Sequence, residues 1–136
     1  MNLFATTQSS LSLLFAAILT FIYLAQSFYV VLQRFKANTS LGSNSDAYHP
    51  LSRAIRVHGN FIEYTPIFLI IFFLAENNEL SATYLKILGW SFVVGRLAHW
   101  FGLIQKNSVN PFRQVGMVLT FTPLALLAGW ALVKCL

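Results

Sequence analysis

The chain has 136 residues, of which 57% are hydrophobic and 10% are charged. Soluble domains carry about 25% charged residues, so this composition indicates an integral membrane protein, and the length allows one domain, residues 1–136, with about four spans. The nine Lys and Arg residues form no basic run, so we expect no nucleic-acid partner. One cysteine and three separated histidines exclude an intrachain disulfide and argue against a metal site.

Four apolar stretches predict an all-α fold, an integral membrane four-helix bundle. The predicted helices span about residues 10–32, 51–77, 82–105 and 111–134, each long enough to cross a bilayer. A polar loop, Gln33–Pro50, separates the first two. Small residues in the last two helices are expected to allow close packing: Gly89, Gly95, Gly102, Gly116 and Gly129.

Basic residues predict the orientation of the bundle. They concentrate near the first and third loops, as Arg34, Lys36, Arg53, Arg56, Lys106 and Arg113. Because cytoplasmic loops are enriched in Lys and Arg, both termini are expected outside the cytoplasm.

Polar residues on the second helix form the first candidate site. Arg56, Asn60 and Glu63 fall at i, i+4 and i+7 and therefore share one helix face. An ionised carboxylate in a membrane helix is costly and usually faces a bundle interior or a wet cavity. These three residues either bind a ligand or stabilise the contact between helices. The second role is an alternative because polar residues also form hydrogen bonds between membrane helices.

Charged residues on two other helices are expected at the same depth. Arg96 and His99 are one turn apart on the third helix, and Arg113 lies in the first turn of the fourth. Together with Glu63 they suit a polar, multiply charged small molecule, since arginine binds carboxylates and stabilises a nearby thiolate. The structural alternatives are that Arg96 pairs with Glu63 or a loop carbonyl, and that Arg113 extends to lipid phosphates.

Three motifs carry a family resemblance: R-A-I-R-V-H-G-N-F-I-E-Y-T-P at residues 53–66, G-R-L-A-H-W-F-G-L at 95–103 and R-Q-V-G-M at 113–117. Together they resemble the MAPEG family, the membrane-associated proteins in eicosanoid and glutathione metabolism, and in particular its small bacterial branch. The resemblance covers nearly the whole chain, and the second-helix motif is its most specific part. It implies a homotrimer in the bacterial inner membrane.

The resemblance also implies glutathione as co-substrate, bound between subunits at the cytoplasmic ends of the helices. Arg113 matches the arginine that stabilises the glutathione thiolate. The implied glutathione-binding residues are Arg56, Asn60, Glu63, Tyr64, His58, His99, Arg34 and Arg96, with Lys36 as an alternative to Arg34. His58 stands where some relatives use a residue from the adjacent subunit. His99 and Leu103 replace tyrosines of leukotriene-synthesising relatives, which argues against that substrate.

The expected function is therefore a membrane glutathione transferase, with or without peroxidase activity, that attacks a hydrophobic electrophile or lipid. A second hypothesis is a non-catalytic member that binds membrane lipid and interacts with partners. A third is a small transporter that uses Glu63 as a proton or cation carrier, which the neighbouring arginines disfavour.

Overall fold

The computed structural model describes residues 10–105 and 110–136. Within these ranges the fold is four helices without strands: α1 (Leu11–Lys36), α2 (Pro50–Asn77), α3 (Ala82–Ile104) and α4 (Pro111–Cys135). All four are long and apolar enough to cross a membrane. The predicted all-α four-helix membrane bundle is therefore confirmed, while Lys106, used in predicting the orientation, lies outside the described residues.

Local sequence sets where the helices begin and end. His49 and Asn110 cap α2 and α4 through their side chains, and each is followed by a proline in the first helical turn, where a missing N–H costs nothing. α1 extends to Lys36, further than predicted, with Arg34 and Lys36 in its last turn. Positive charge there complements the helix dipole.

The start of α1 is fixed by an acid from the end of α2. Glu76 accepts hydrogen bonds from the Leu11 backbone N–H at 2.6 Å, the Ser12 backbone N–H at 2.9 Å and the Ser10 hydroxyl at 3.0 Å. The first N–H groups of a helix have no partner within the helix. A carboxylate satisfies them well because it also complements the dipole, so Glu76 joins two helix ends.

The apolar core lies at this same end of the bundle. Phe15 of α1, Phe68 and Phe72 of α2, and Phe92 of α3 are fully buried. The Phe68 and Phe92 rings stack with centroids 3.8 Å apart. Because lipid is as apolar as these side chains, the core is held by close packing rather than by exclusion of water.

α3 and α4 form the most extensive helix pair, and glycines set their separation. A Cβ added at Gly95 would lie 2.9 Å from the Leu119 backbone, one at Gly102 2.6 Å from the Arg113 nitrogen, and one at Gly116 2.6 Å from the His99 nitrogen. These distances are too short for any side chain, so all three positions require glycine. Gly89 packs likewise against Phe15, whereas a Cβ at Gly129 would face open space in the single chain, so no contact within the chain requires glycine there.

We predict that Gly116→Ala destabilises the bundle. The new methyl group would force α3 and α4 apart, at a cost of about 1–3 kcal/mol, which exceeds the gain of about 1 kcal/mol from replacing glycine by alanine in a helix. Thermal unfolding in detergent, followed by circular dichroism, measures the change. Gly129→Ala is the matched control on the same helix and should unfold at the wild-type temperature or slightly above it. Equal unfolding temperatures for the two variants would contradict the close approach.

Candidate functional site

A polar cavity of about 200 Å³ lies between α2, α3 and α4, in the half of the bundle away from the phenylalanine core. All the predicted site residues except His58 and Arg34 line it, namely Arg56, Asn60, Glu63, Tyr64, Arg96, His99 and Arg113. Charged residues from three separate helices therefore line one cavity.

The α2 side of the cavity follows directly from helical spacing. Arg56, Asn60 and Glu63 share one face, as expected, and Tyr64 adjoins them. Asn60 and Tyr64 are half-buried, whereas Arg56 and Glu63 are exposed in the single chain. The cavity is therefore open on the side where these two charges lie.

Arg96 is the most deeply buried charge of the cavity, at 3% exposure. Its Nη2 donates to the Asn60 Oδ1 at 2.6 Å, and its guanidinium carbon lies 5.5 Å from the centre of the Tyr64 ring. Asn60, rather than Glu63 or a loop carbonyl, is thus its hydrogen-bond partner. The Arg96 Nε is buried and has no hydrogen-bond partner in the described part of the chain.

His99 connects the α3 side to α4. Its ring is 5% exposed, and Nδ1 lies 3.4 Å from the Arg113 carbonyl oxygen. With the proton on Nδ1, the ring donates to that carbonyl. This contact holds His99 against the first turn of α4, where Arg113 also lies.

Arg113 is positioned by the cap of its own helix. The Asn110 Oδ1 accepts from the Arg113 backbone N–H at 3.0 Å, and the Asn110 Nδ2 donates to the Gly102 carbonyl at 2.7 Å. One buried amide therefore caps α4 and ties it to the end of α3. The backbone of Arg113 is fixed while its side chain is half-buried at the cavity.

The less polar wall of the cavity was not predicted from the sequence. Met117, Thr120 and Phe121 line it together with Leu103, and the Phe121 ring packs edge-on against Tyr64 at 5.4 Å. Met117, Thr120 and Phe121 follow Arg113 along α4 at the spacing of one helix face, and this spacing could have predicted them. They give the site an apolar side next to the arginines.

Two predicted residues lie elsewhere in the same chain. The His58 ring packs against Tyr23 of α1 with centroids 5.0 Å apart. Arg34 donates to the Ser40 and Gly42 carbonyls at 3.3 Å and 3.0 Å, and so holds the start of the first loop. Neither lines the polar cavity of its own chain.

Three arginines and one glutamate make the cavity predominantly positive. It suits a ligand with more carboxylates than ammonium groups. No group of three or more His, Cys, Asp or Glu residues that could hold a metal ion occurs in residues 10–105 and 110–136. The donors present fit an organic anion.

We predict strong coupling between Asn60 and Arg96. Asn60→Ala removes the acceptor of a buried guanidinium and should cost about 1–3 kcal/mol in the free energy of unfolding. Arg96→Met should cost less in the Asn60→Ala background than in the wild type, because the charge is then already without this partner. Thermal unfolding of the two single variants and the double variant measures the coupling. Additive costs would show that the bond contributes nothing to stability.

The sequence profile of the MAPEG family matches residues 12–133. The chain is 30% identical over 116 residues to the inner membrane protein YecN of Escherichia coli K12, covering 85% of this chain and 86% of that protein, and equally to YecN of Escherichia coli O6:H1. No solved structure matches the chain. The four apolar helices and the relatives together support an integral inner-membrane protein. The chain belongs to the MAPEG family.

Proposed function

We propose that this protein is a membrane-bound glutathione transferase that activates glutathione as a thiolate for attack on a hydrophobic electrophile. The single observation that carries the proposal is the meeting of Arg56, Glu63 and Arg113 from two helices at one cavity. Glutathione is a tripeptide with two carboxylates, one ammonium group and one thiol. The cavity offers complementary charges to each of them.

In this proposal the charged groups of glutathione bind different side chains of the cavity. Glu63 meets the γ-glutamyl ammonium group, and Arg56 and Arg96 meet carboxylates. Asn60 and Tyr64 add hydrogen bonds, and His99 extends the polar wall.

The glutathione thiol releases its proton to water, and Arg113 stabilises the resulting thiolate, because a nearby cation favours the charged form. The thiolate forms a bond to an electrophilic carbon. With an α,β-unsaturated ketone, the displaced electron pair moves to the ketone oxygen and the resulting enolate takes a proton from water. With an aryl halide, halide leaves. Both reactions place charge near Arg113, where its guanidinium lowers the barrier.

The exposure of Glu63 supports an oligomer, and the family resemblance implies that the oligomer is a homotrimer. Glu63 lies midway along the 28-residue α2 and is exposed in the single chain. A carboxylate facing lipid at that depth is costly, whereas a second copy packed over this face would cover it. His58 and Arg34, which lie outside the cavity of their own chain, would then contribute to a neighbour's site. In this proposal the site faces the cytoplasm, because basic residues are concentrated at this end and cytoplasmic loops are enriched in them.

We expect three copies of the 15.3 kDa chain in the detergent-purified particle. Light scattering with the detergent mass subtracted measures the protein mass directly. Addition of glutathione should raise the thermal stability of the assembly, because a ligand bound only by the folded state stabilises it. A monomeric mass under conditions that retain glutathione binding would refute the trimeric site.

For catalysis, we predict that Arg113→Ala abolishes thiolate formation and conjugation of chlorodinitrobenzene. Much of the glutathione affinity should remain, because the other charges still hold the peptide. Loss of one electrostatic stabiliser costs roughly 100–1,000-fold in turnover. Glu63→Ala and Arg56→Ala should instead weaken glutathione binding, measured by calorimetry.

Lys134→Ala is the matched control, since it removes a cation from the last turn of the same helix. It should retain both thiolate formation and turnover. Wild-type turnover in Arg113→Ala would remove Arg113 from the mechanism, and unchanged affinity in both Glu63→Ala and Arg56→Ala would place glutathione elsewhere. Saturable lipid binding without any glutathione binding would favour the non-catalytic alternative.

A further inference from the structure

A second cavity lies at the opposite end of the bundle from the polar cavity. It has a volume of about 680 Å³ and lies between the start of α1, the end of α2 and the start of α3. This volume is within the roughly 300–1,000 Å³ typical of sites for small organic molecules. The proposed glutathione reaction uses none of its side chains, so a ligand bound here would serve a separate purpose.

The cavity lies where α2 and α3 meet the polar turn that connects them. Residues 78–81 form this turn, and a turn with open backbone groups has to lie outside the hydrocarbon. Tyr84, in the first turn of α3, is exposed, as is typical of tyrosines at the membrane–water interface. Phe73 and Leu85 line the cavity about one helical turn deeper. The cavity therefore has a polar rim at the depth of lipid headgroups and an apolar floor toward the acyl chains.

Three charged side chains line the cavity, and the fold already uses one of them. Glu76 accepts the three hydrogen bonds from the start of α1 described above, and the dipole of α1 offsets its charge. Glu79 and Lys86 remain, and both are exposed. The charges that remain for a ligand are thus one negative and one positive, which suits a zwitterion.

Glu79 and Lys86 do not neutralise each other. Neither side chain makes an ion pair or a hydrogen bond within residues 10–105 and 110–136. The Ser81 side chain, which lies between them in sequence at the start of α3, makes no capping hydrogen bond either. The first N–H groups of α3 can therefore donate to an anionic group that Lys86 also contacts. Lys86 and the start of α3 favour a phosphate, and Glu79 favours an ammonium group.

The backbone at Glu79 is unusual for a glutamate. Its φ is 65°, in the left-handed region, and it lies just beyond the last turn of α2. Its N–H donates to the Glu76 carbonyl, and the Leu80 N–H donates to the Ala75 carbonyl. Glycine is the usual residue where a helix ends in this way, because it adopts a positive φ without strain on a Cβ. Replacement by glycine would therefore remove the carboxylate and relax the backbone together.

We propose that this cavity binds a membrane phospholipid whose headgroup carries a phosphate and a primary ammonium group, a phosphatidylethanolamine. The phosphate accepts hydrogen bonds from Lys86 and the start of α3, and the ammonium group donates to Glu79. The first carbons of the acyl chains pack against Phe73 and Leu85. A trimethylated choline headgroup cannot donate to Glu79, and a glycerol headgroup has no positive charge.

The binding test titrates the detergent-purified protein with dioleoyl phosphatidylethanolamine, phosphatidylcholine and phosphatidylglycerol, and native mass spectrometry measures the bound lipid. The wild type should bind the ethanolamine lipid roughly tenfold more tightly than either of the others, the effect of one charged hydrogen bond. Glu79→Gly should lose this preference, because it removes the partner of the ammonium group. Lys86→Gln should weaken the binding of all three lipids roughly tenfold, because all three contain the phosphate.

Two controls separate lipid recognition from stability and net charge. Glu79→Gly should unfold in detergent at the wild-type temperature or above it, because glycine relieves the positive φ. A lost lipid preference in this variant then reflects the missing carboxylate. Lys134→Gln removes a positive charge at the same end of the bundle, from the last turn of α4 and outside the cavity lining. It should bind all three lipids like the wild type.

Three results would overturn the proposal. The first is equal wild-type affinity for the ethanolamine and choline lipids. The second is an unchanged lipid preference in Glu79→Gly, or an unchanged affinity for phosphatidylethanolamine in Lys86→Gln. The third is displacement of the lipid by an equal concentration of soluble glycerophosphoethanolamine, because the apolar floor would then contribute nothing to binding.

Discussion

The close approach of α3 and α4 is the constraint on which the rest of the site depends. Gly95, Gly102 and Gly116 leave no room for a Cβ between the two backbones. This proximity brings His99 of α3 against the first turn of α4, where the cap at Asn110 fixes the backbone of Arg113. In a bilayer, such contacts of small residues replace the hydrophobic effect as the source of helix association. The same glycines thus supply both stability and the positions of the charges.

The packed apolar core and the polar cavity lie in different halves of the bundle. Stacked phenylalanines fill one half, where the Glu76 carboxylate also ties α2 to the start of α1. The polar cavity occupies the other half. Buried charge in a membrane protein is costly, and Asn60 offsets that cost for Arg96 through one short, charge-assisted bond. The half that contains the packed phenylalanines therefore supports the other half, in which polar groups are available to a ligand.

The sequence predicted the bundle and most of the cavity for clear physical reasons. Hydropathy predicts four membrane-spanning helices, and the spacing of Arg56, Asn60 and Glu63 places these three residues on one helix face. The partner of Arg96 was not predictable, because it depends on the distance between α2 and α3. Met117 and Phe121 were not predicted, because an apolar residue in a membrane helix can face either lipid or a neighbouring helix, and only the position of α2 decides between the two. The contact between Arg53 and the Tyr48 ring depends on how the first loop folds, which hydropathy does not encode.

The most direct test of this account is a glutathione titration of the detergent-purified protein, followed by ultraviolet absorbance of the thiolate, with Arg113→Ala measured alongside. We predict a saturable thiolate signal in the wild type that is absent in the variant, although calorimetry detects glutathione binding in both. Glutathione binding without a thiolate signal in the wild type, or the same signal in Arg113→Ala, would contradict the assignment of the cavity as a site of thiol activation.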